Sequence, residues 1–139
     1  MHDENKNMPY LDSLSLLRDA LLPNLLNDGE ENILYWAGKE LARSQSFESL
    51  DDLIQQMNRL FSGELALYRK TKKSRYYEWS GALTSHRLAL DTKVTFSLEA
   101  GFLAEGYQKI TGNETEATYT LHPKKSIVTF LLQSDSPIN

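Results

Sequence analysis

Two glycines set inside helical patterns constrain this chain most. "YWAGKELA" places Gly38 behind Tyr35, Trp36 and Ala37, and "LEAGFLAEG" places Gly101 between Ala100 and Phe102. Each sacrifices about 1 kcal/mol of helix propensity relative to alanine. A close approach of two backbones offsets that loss, because glycine has no Cβ to hold a neighbour away. The pattern predicts close contacts at Gly38 and Gly101, at two points where helices cross or meet a sheet. The other reading makes both glycines incidental and exposed. In the close-packed reading Tyr35, Trp36 and Phe102 fill space beside the contacts, and Leu34 and Leu41 share the inward face of Gly38.

The rest of the pattern builds around those two helices. Leu14, Leu17 and Leu21 recur at helical spacing, and Pro23 ends or kinks that first helix. Asp28 with Glu31 reads as a capping box opening the Gly38 helix. Ser49 with Asp52 opens a third helix, which ends before Gly63 and carries Leu50, Leu53, Ile54, Met57, Leu60 and Phe61. "ELALYRKTKK" and "SRYYEWSGAL" suit two strands joined around Thr71 to Ser74. In "TSHRLALDTKVTF" a loop and one short strand near Lys93 to Phe96 are expected. Ser97 then caps a helix running to Thr111, with Gly112 as terminator. Its run Ala100 to Ala104 is small and apolar on most sides, as in a buried helix. A last hairpin turns at Pro123-Lys124-Lys125, with Ile127 to Leu132 apolar on both faces and so inside the sheet. This order predicts an α+β fold: N-terminal helices, one long buried helix and an antiparallel sheet of four to five strands. Residues 1–10 read as a flexible tail, and 11–139 as a single domain.

A chain of 139 residues buries enough surface to fold without staples. It has no cysteine, which removes disulfides, thiolate nucleophiles and cysteine-held metals, and fits a reducing cytoplasm. The start is polar and acidic, unlike a secretion signal, and no apolar run is long enough for a membrane span. Asn113-Glu114-Thr115 matches a glycosylation sequon, read here as chance. A net charge of −4 argues against general binding to nucleic acid. Tyr68, Tyr76, Tyr77 and Trp79 beside Lys70, Lys72, Lys73 and Arg75 would suit a stacking platform, but strands ordinarily use such aromatics to cover a core.

Catalytic signatures do not emerge. His2, His86 and His122 are scattered, with no metal-ligand spacing. No nucleophile elbow, phosphate loop or dinucleotide fingerprint is present. Neither an enzyme nor a cofactor is expected. Glu99 and Glu105 flank the apolar run, and a buried carboxylate needs a partner, for which Arg87 is the candidate. Either they anchor a ligand, or they form structural ion pairs or face solvent.

"YWAGKELAR" (Tyr35 to Arg43) and "LEAGFLAE" (Leu98 to Glu105) resemble the YslB-like family, a domain of unknown function from Gram-positive bacteria. "LTSHRL" (Leu83 to Leu88) is a third point of similarity, with His86 in place of an asparagine. The resemblance implies a fold shared with 4-vinyl-reductase-type domains and vesicle-tethering subunits, and related to haem-based nitric oxide sensors. It assigns no activity to any residue. The expected function is a non-catalytic protein-interaction or dimerisation module, acting as a homodimer. The alternative is a binder of a small apolar ligand in a pocket between helices and sheet. Tyr35, Trp36, Gly38, Arg87, Glu99, Gly101, Phe102 and Glu105 are the candidate ligand or interface residues.

Overall fold

In a computed structural model, which describes residues 10–138, the chain folds around α6 (Ser97–Thr111). Every residue from Glu99 to Tyr107 in this helix is buried. On one side α6 meets α3 (Glu30–Arg43) and α4 (Leu50–Phe61). On the other it covers a four-stranded sheet of β1 (Glu64–Lys70), β2 (Ser74–Ser80), β3 (Thr115–His122) and β4 (Ile127–Ser134). The strand order is β1-β2-β4-β3, with all neighbours antiparallel. The fold is thus α+β, with β4 inside the sheet and β1 and β3 at its edges. The expected tail before residue 10 lies outside the described residues, and Tyr10 already opens α1 (Tyr10–Leu16).

The α3–α6 crossing is made by the two glycines together. A Cβ on Gly38 would stand 2.1 Å from the Leu98 carbonyl oxygen and 2.8 Å from the Phe102 nitrogen. A Cβ on Gly101 would stand 2.0 Å from the Tyr35 carbonyl oxygen and 3.1 Å from the Lys39 nitrogen. The two contacts are one crossing seen from both helices, rather than two separate points. Leu34, Gly38 and Ala42 form the buried face of α3. Leu41 is 45% exposed and Trp36 60% exposed, so neither fills space at the crossing. Helical phase explains this, because Ala42 occupies the inward position one turn beyond Gly38 and rotates Leu41 away. Phe102 does fill space, edge-on to Phe47 and Phe61 at 5.8 and 5.3 Å between ring centres. Trp79, Phe130, Leu132, Leu103 and Tyr107 complete the core against the sheet.

Local signals held where their partners are local. Ser49 accepts the Asp52 N–H at 3.1 Å and caps α4. Gly112 ends α6 in the left-handed region. Other signals were overridden. The helix does not stop at Pro23: one π-helical turn, Leu17–Leu21, precedes it, and Pro23 lies in the first turn of α2 (Leu22–Leu26), where its missing N–H matters least. The Asp28–Glu31 capping box does not form; Gly29 is the N-cap of α3, with no side-chain bond. Ser97 is not a cap either, because Thr95 Oγ1 accepts the Ser97 N–H at 3.2 Å. "ALTSHRL" is the helix α5 (Ala82–Leu88), and Lys93 to Phe96 form no strand. The Thr95 carbonyl in that segment is taken instead by Arg87 at 2.7 Å and Arg18 at 3.5 Å, side chains standing in for a ladder. Tyr77, Trp79 and Arg75 are buried, which dismantles the stacking platform.

Overpacking a core typically costs roughly 1–3 kcal/mol, which exceeds the helix propensity that alanine gains. Gly101→Ala and Gly38→Ala are therefore expected to lower the urea midpoint at unchanged slope, and Gly101→Leu to prevent folding. A raised midpoint in either alanine variant would contradict the close crossing.

Candidate functional site

Three features outside the apolar core carry chemistry. The first is a cluster of buried charges where α1 and its π-helical turn dock on α5 and α6. Arg18 reaches Glu99 with two nitrogens, at 3.0 and 2.8 Å. Arg87 grips Asp19 through Nε and Nη2 at 2.9–3.1 Å, stands 3.7 Å from Glu99, and stacks over Phe96 at 4.3 Å. Burial opposes the Glu99 charge, but Arg18 and then Arg87 outweigh it and hold the carboxyl below its ordinary range. Both Glu99 oxygens are engaged by protein donors, so the arrangement ties elements together. Glu105, also buried, turns away from Arg87 and meets Arg43 at 3.4 Å.

The second is a groove of about 590 Å³ along the outer edge of β3. Its walls come from α3, the start of α6 and the segment at Lys93 and Val94. Tyr35 closes one end: its hydroxyl donates to Glu116 at 2.5 Å and accepts the Ala117 N–H at 3.0 Å. Burial, then Glu116, push the Tyr35 phenol well above its ordinary range, so it remains a donor. Further along, Glu31 accepts from Tyr119 at 2.7 and 3.0 Å and from the Ser97 hydroxyl. Burial works against the Glu31 charge, yet the hydroxyls of Ser97, Thr95 and Tyr119 hold its carboxyl low.

The third is an apolar outer surface on the helices. Ile33 and Trp36 project from the side of α3 away from α6, Leu41 is exposed at its flank, and Leu17, Leu21 and Leu25 recur at four-residue steps along the N-terminal helical segment. All six are exposed.

The candidate residues named from sequence thus divide. Gly38, Gly101 and the backbones of Tyr35 and Phe102 meet at the crossing, and Arg87 and Glu99 meet in the charge cluster. Glu105 stands apart with Arg43, and Trp36 lies on the outer surface. Sequence reading missed Arg18 and Asp19, whose signal was a charge pair inside a leucine-rich helix. It also missed Glu31 as a groove residue, because its spacing suited a cap, and Tyr119, which had no distinguishing signal.

Among the described residues no group of histidine and acidic side chains could hold a metal, and no helix is long and apolar enough to cross a membrane.

This fold is similar to that of a vinyl-4-reductase family protein from Methanocaldococcus jannaschii. The two superpose with a TM-score of 0.64 at 17% identity, over 91% of this chain and 80% of that one. The phenol-responsive sensory domain of the transcription activator PoxR, solved with phenol, superposes at 0.56 and 12% identity, over 89% and 74%. The chain belongs to the DUF2507 family of proteins of unknown function, whose profile matches residues 12–133. It is 34% identical over 93 residues to the uncharacterised protein YslB of Bacillus subtilis (strain 168), a match spanning 67% of this chain and 63% of that protein.

The charge cluster makes stability depend on acid in a defined direction. Folding holds Glu99 below its unfolded value, so the unfolded chain binds the proton more readily. Its contribution is complete above an unfolded value of about 4.3 and drains away as pH falls through the folded value. The thermal midpoint is expected to drop steeply below about pH 4. Glu99→Gln, measured at pH 7, should lose about 3–5 kcal/mol, because it leaves Arg18 buried without its counter-charge. A variant as stable as the parent would show that the cluster does not hold the N-terminal helix.

Proposed function

We propose that the domain is a non-catalytic interaction module that pairs with a second copy of itself through the apolar outer surface of its helices. The observation that carries this reading is the exposure of Trp36 at 60%, with Ile33 at 44% one turn away on the same face of α3. Large apolar groups gathered on one helix face mark association sites more often than scattered ones do, and tryptophan is enriched among residues that dominate binding energy. Glu40 and Arg43 border this face and neutralise each other at 2.6 Å, so it offers little to attract a charged partner. An apolar, self-complementary face suits a two-fold interface.

The second reading is a binder of a small apolar ligand between helices and sheet. Phenol in the related PoxR sensory domain supports it, as does the partly apolar wall of the β3 groove. It ranks lower because Trp79, Tyr107 and Phe130 occupy the space between α6 and the sheet, and the groove opens to solvent with polar ends.

Light scattering on the eluting protein decides between the two. A doubled mass is expected for the parent chain, and Trp36→Glu should weaken the dimer at least thirtyfold, or about 2 kcal/mol. Trp36 is exposed, so this variant should keep the parent's melting behaviour as a monomer. A parent chain that stays monomeric at about 100 μM, some hundredfold above a micromolar dissociation constant, would overturn the dimer.

A further inference from the structure

We propose that the C-terminal half of the β3 edge accepts an extended peptide as a fifth strand, with apolar side chains along the groove wall and a basic one at Glu31. The argument starts from the backbone. β3 bonds β4 on one side only. The Ala117 N–H points away from β4, onto the Tyr35 hydroxyl, and the Thr115 N–H points the same way, onto Gln108 at 3.3 Å. Strand periodicity of two turns the main-chain groups of Tyr119 and Leu121 to that same outer side. Side chains therefore seal the first half of the edge. Among the described residues no hydrogen bond outside the β3–β4 ladder reaches the main chain of Tyr119 or Leu121.

The groove follows that open half. Five consecutive β3 residues, Ala117 to Leu121, line it, facing Val94 and Ala100. An edge strand opposite a helical wall is the geometry in which a peptide gains main-chain bonds from the strand and side-chain selection from the wall. A small apolar molecule cannot satisfy two sets of strand donors and acceptors spaced two residues apart. A peptide main chain repeats at that interval.

Charge selects the side chain at one end. A second hollow of about 320 Å³, lined by Asp28, Glu30, Glu31 and Lys93 among others, shares Glu31, Lys93 and Val94 with the first. Three carboxylates thus stand against one ammonium. Glu30 Oε2 is buried there with no partner among the described residues. Burial and then the neighbouring Glu31 charge push the Glu30 carboxyl up, against the opposing pull of Arg18 and Arg87. A lysine or arginine from the peptide would add positive charge there.

Amide hydrogen exchange tests this on the unaltered chain, with the changes made in the probe. The probe is the acetylated and amidated peptide Lys-Val-Thr-Ile-Thr-Val. At saturation it should slow exchange at Tyr119 and Leu121 at least tenfold. The same peptide methylated on alternate backbone nitrogens should lose this protection, and replacing its lysine by glutamate should weaken binding at least tenfold. No slowing at millimolar peptide, or equal slowing by the methylated form, overturns the strand addition. Equal binding of the glutamate form overturns the basic preference. Phenol shifting the same two amides while the peptide does not would assign the groove to a small ligand. Dimer mass is read separately, so failure of the strand addition and failure of the proposed pairing are distinguishable.

Discussion

The contact between Gly38 and the Leu98 carbonyl, matched by Gly101 against the Tyr35 carbonyl, sets the distance between α3 and α6. Everything on the helical side of the molecule takes its position from it. With the backbones this close, Tyr35 reaches the β3 edge and seals the Ala117 N–H, and Glu31 reaches Ser97 and Tyr119. The same placement commits the opposite side of α3, with Ile33 and Trp36, to the outside. Any side chain at either glycine would push α3 outward and loosen both the seal and the groove. The helix propensity surrendered at the two positions is small beside that loss.

A second constraint holds the N-terminal helix. Arg18 and Asp19 are sequence neighbours and both are engaged with body residues, Glu99 and Arg87. The π-helical turn that contains them widens the backbone where the two charges leave it. Buried ion pairs gain little net stability over apolar packing, but removing one partner is costly. The cluster therefore fixes where this helix docks more than how strongly. Once docked, the helix presents Leu17, Leu21 and Leu25 to solvent.

What the sequence disclosed follows the range of the interaction behind each signal. The Ser49 cap, the Gly112 terminator and both hairpins depend on residues a few positions apart, and all are legible. The glycines announced a close approach because an interior helical glycine is otherwise unfavourable, but not that they share one crossing. The Glu99 carboxylate was recognisable as needing a partner. Its principal partner, Arg18, lies 81 positions away, and Arg87 turned chiefly to Asp19, 68 positions away. Such pairings leave no local trace. For the same reason Lys93 to Phe96 looked like a strand, when two arginines occupy the carbonyl that a neighbouring strand would have used. The groove was invisible because its edge comes from β3 while its wall comes from α3, α6 and the segment at Lys93 and Val94.

The close crossing is the claim on which the remainder rests, and a double-mutant cycle tests it most directly. If Gly38 and Gly101 face one shared contact, the first added methyl already forces the helices apart and the second finds the space made. The combined Gly38→Ala and Gly101→Ala variant should then lose less stability in urea than the two single losses added together, by about 1 kcal/mol or more. Losses that add to within about 0.5 kcal/mol would mean two independent sites, and would contradict the shared crossing.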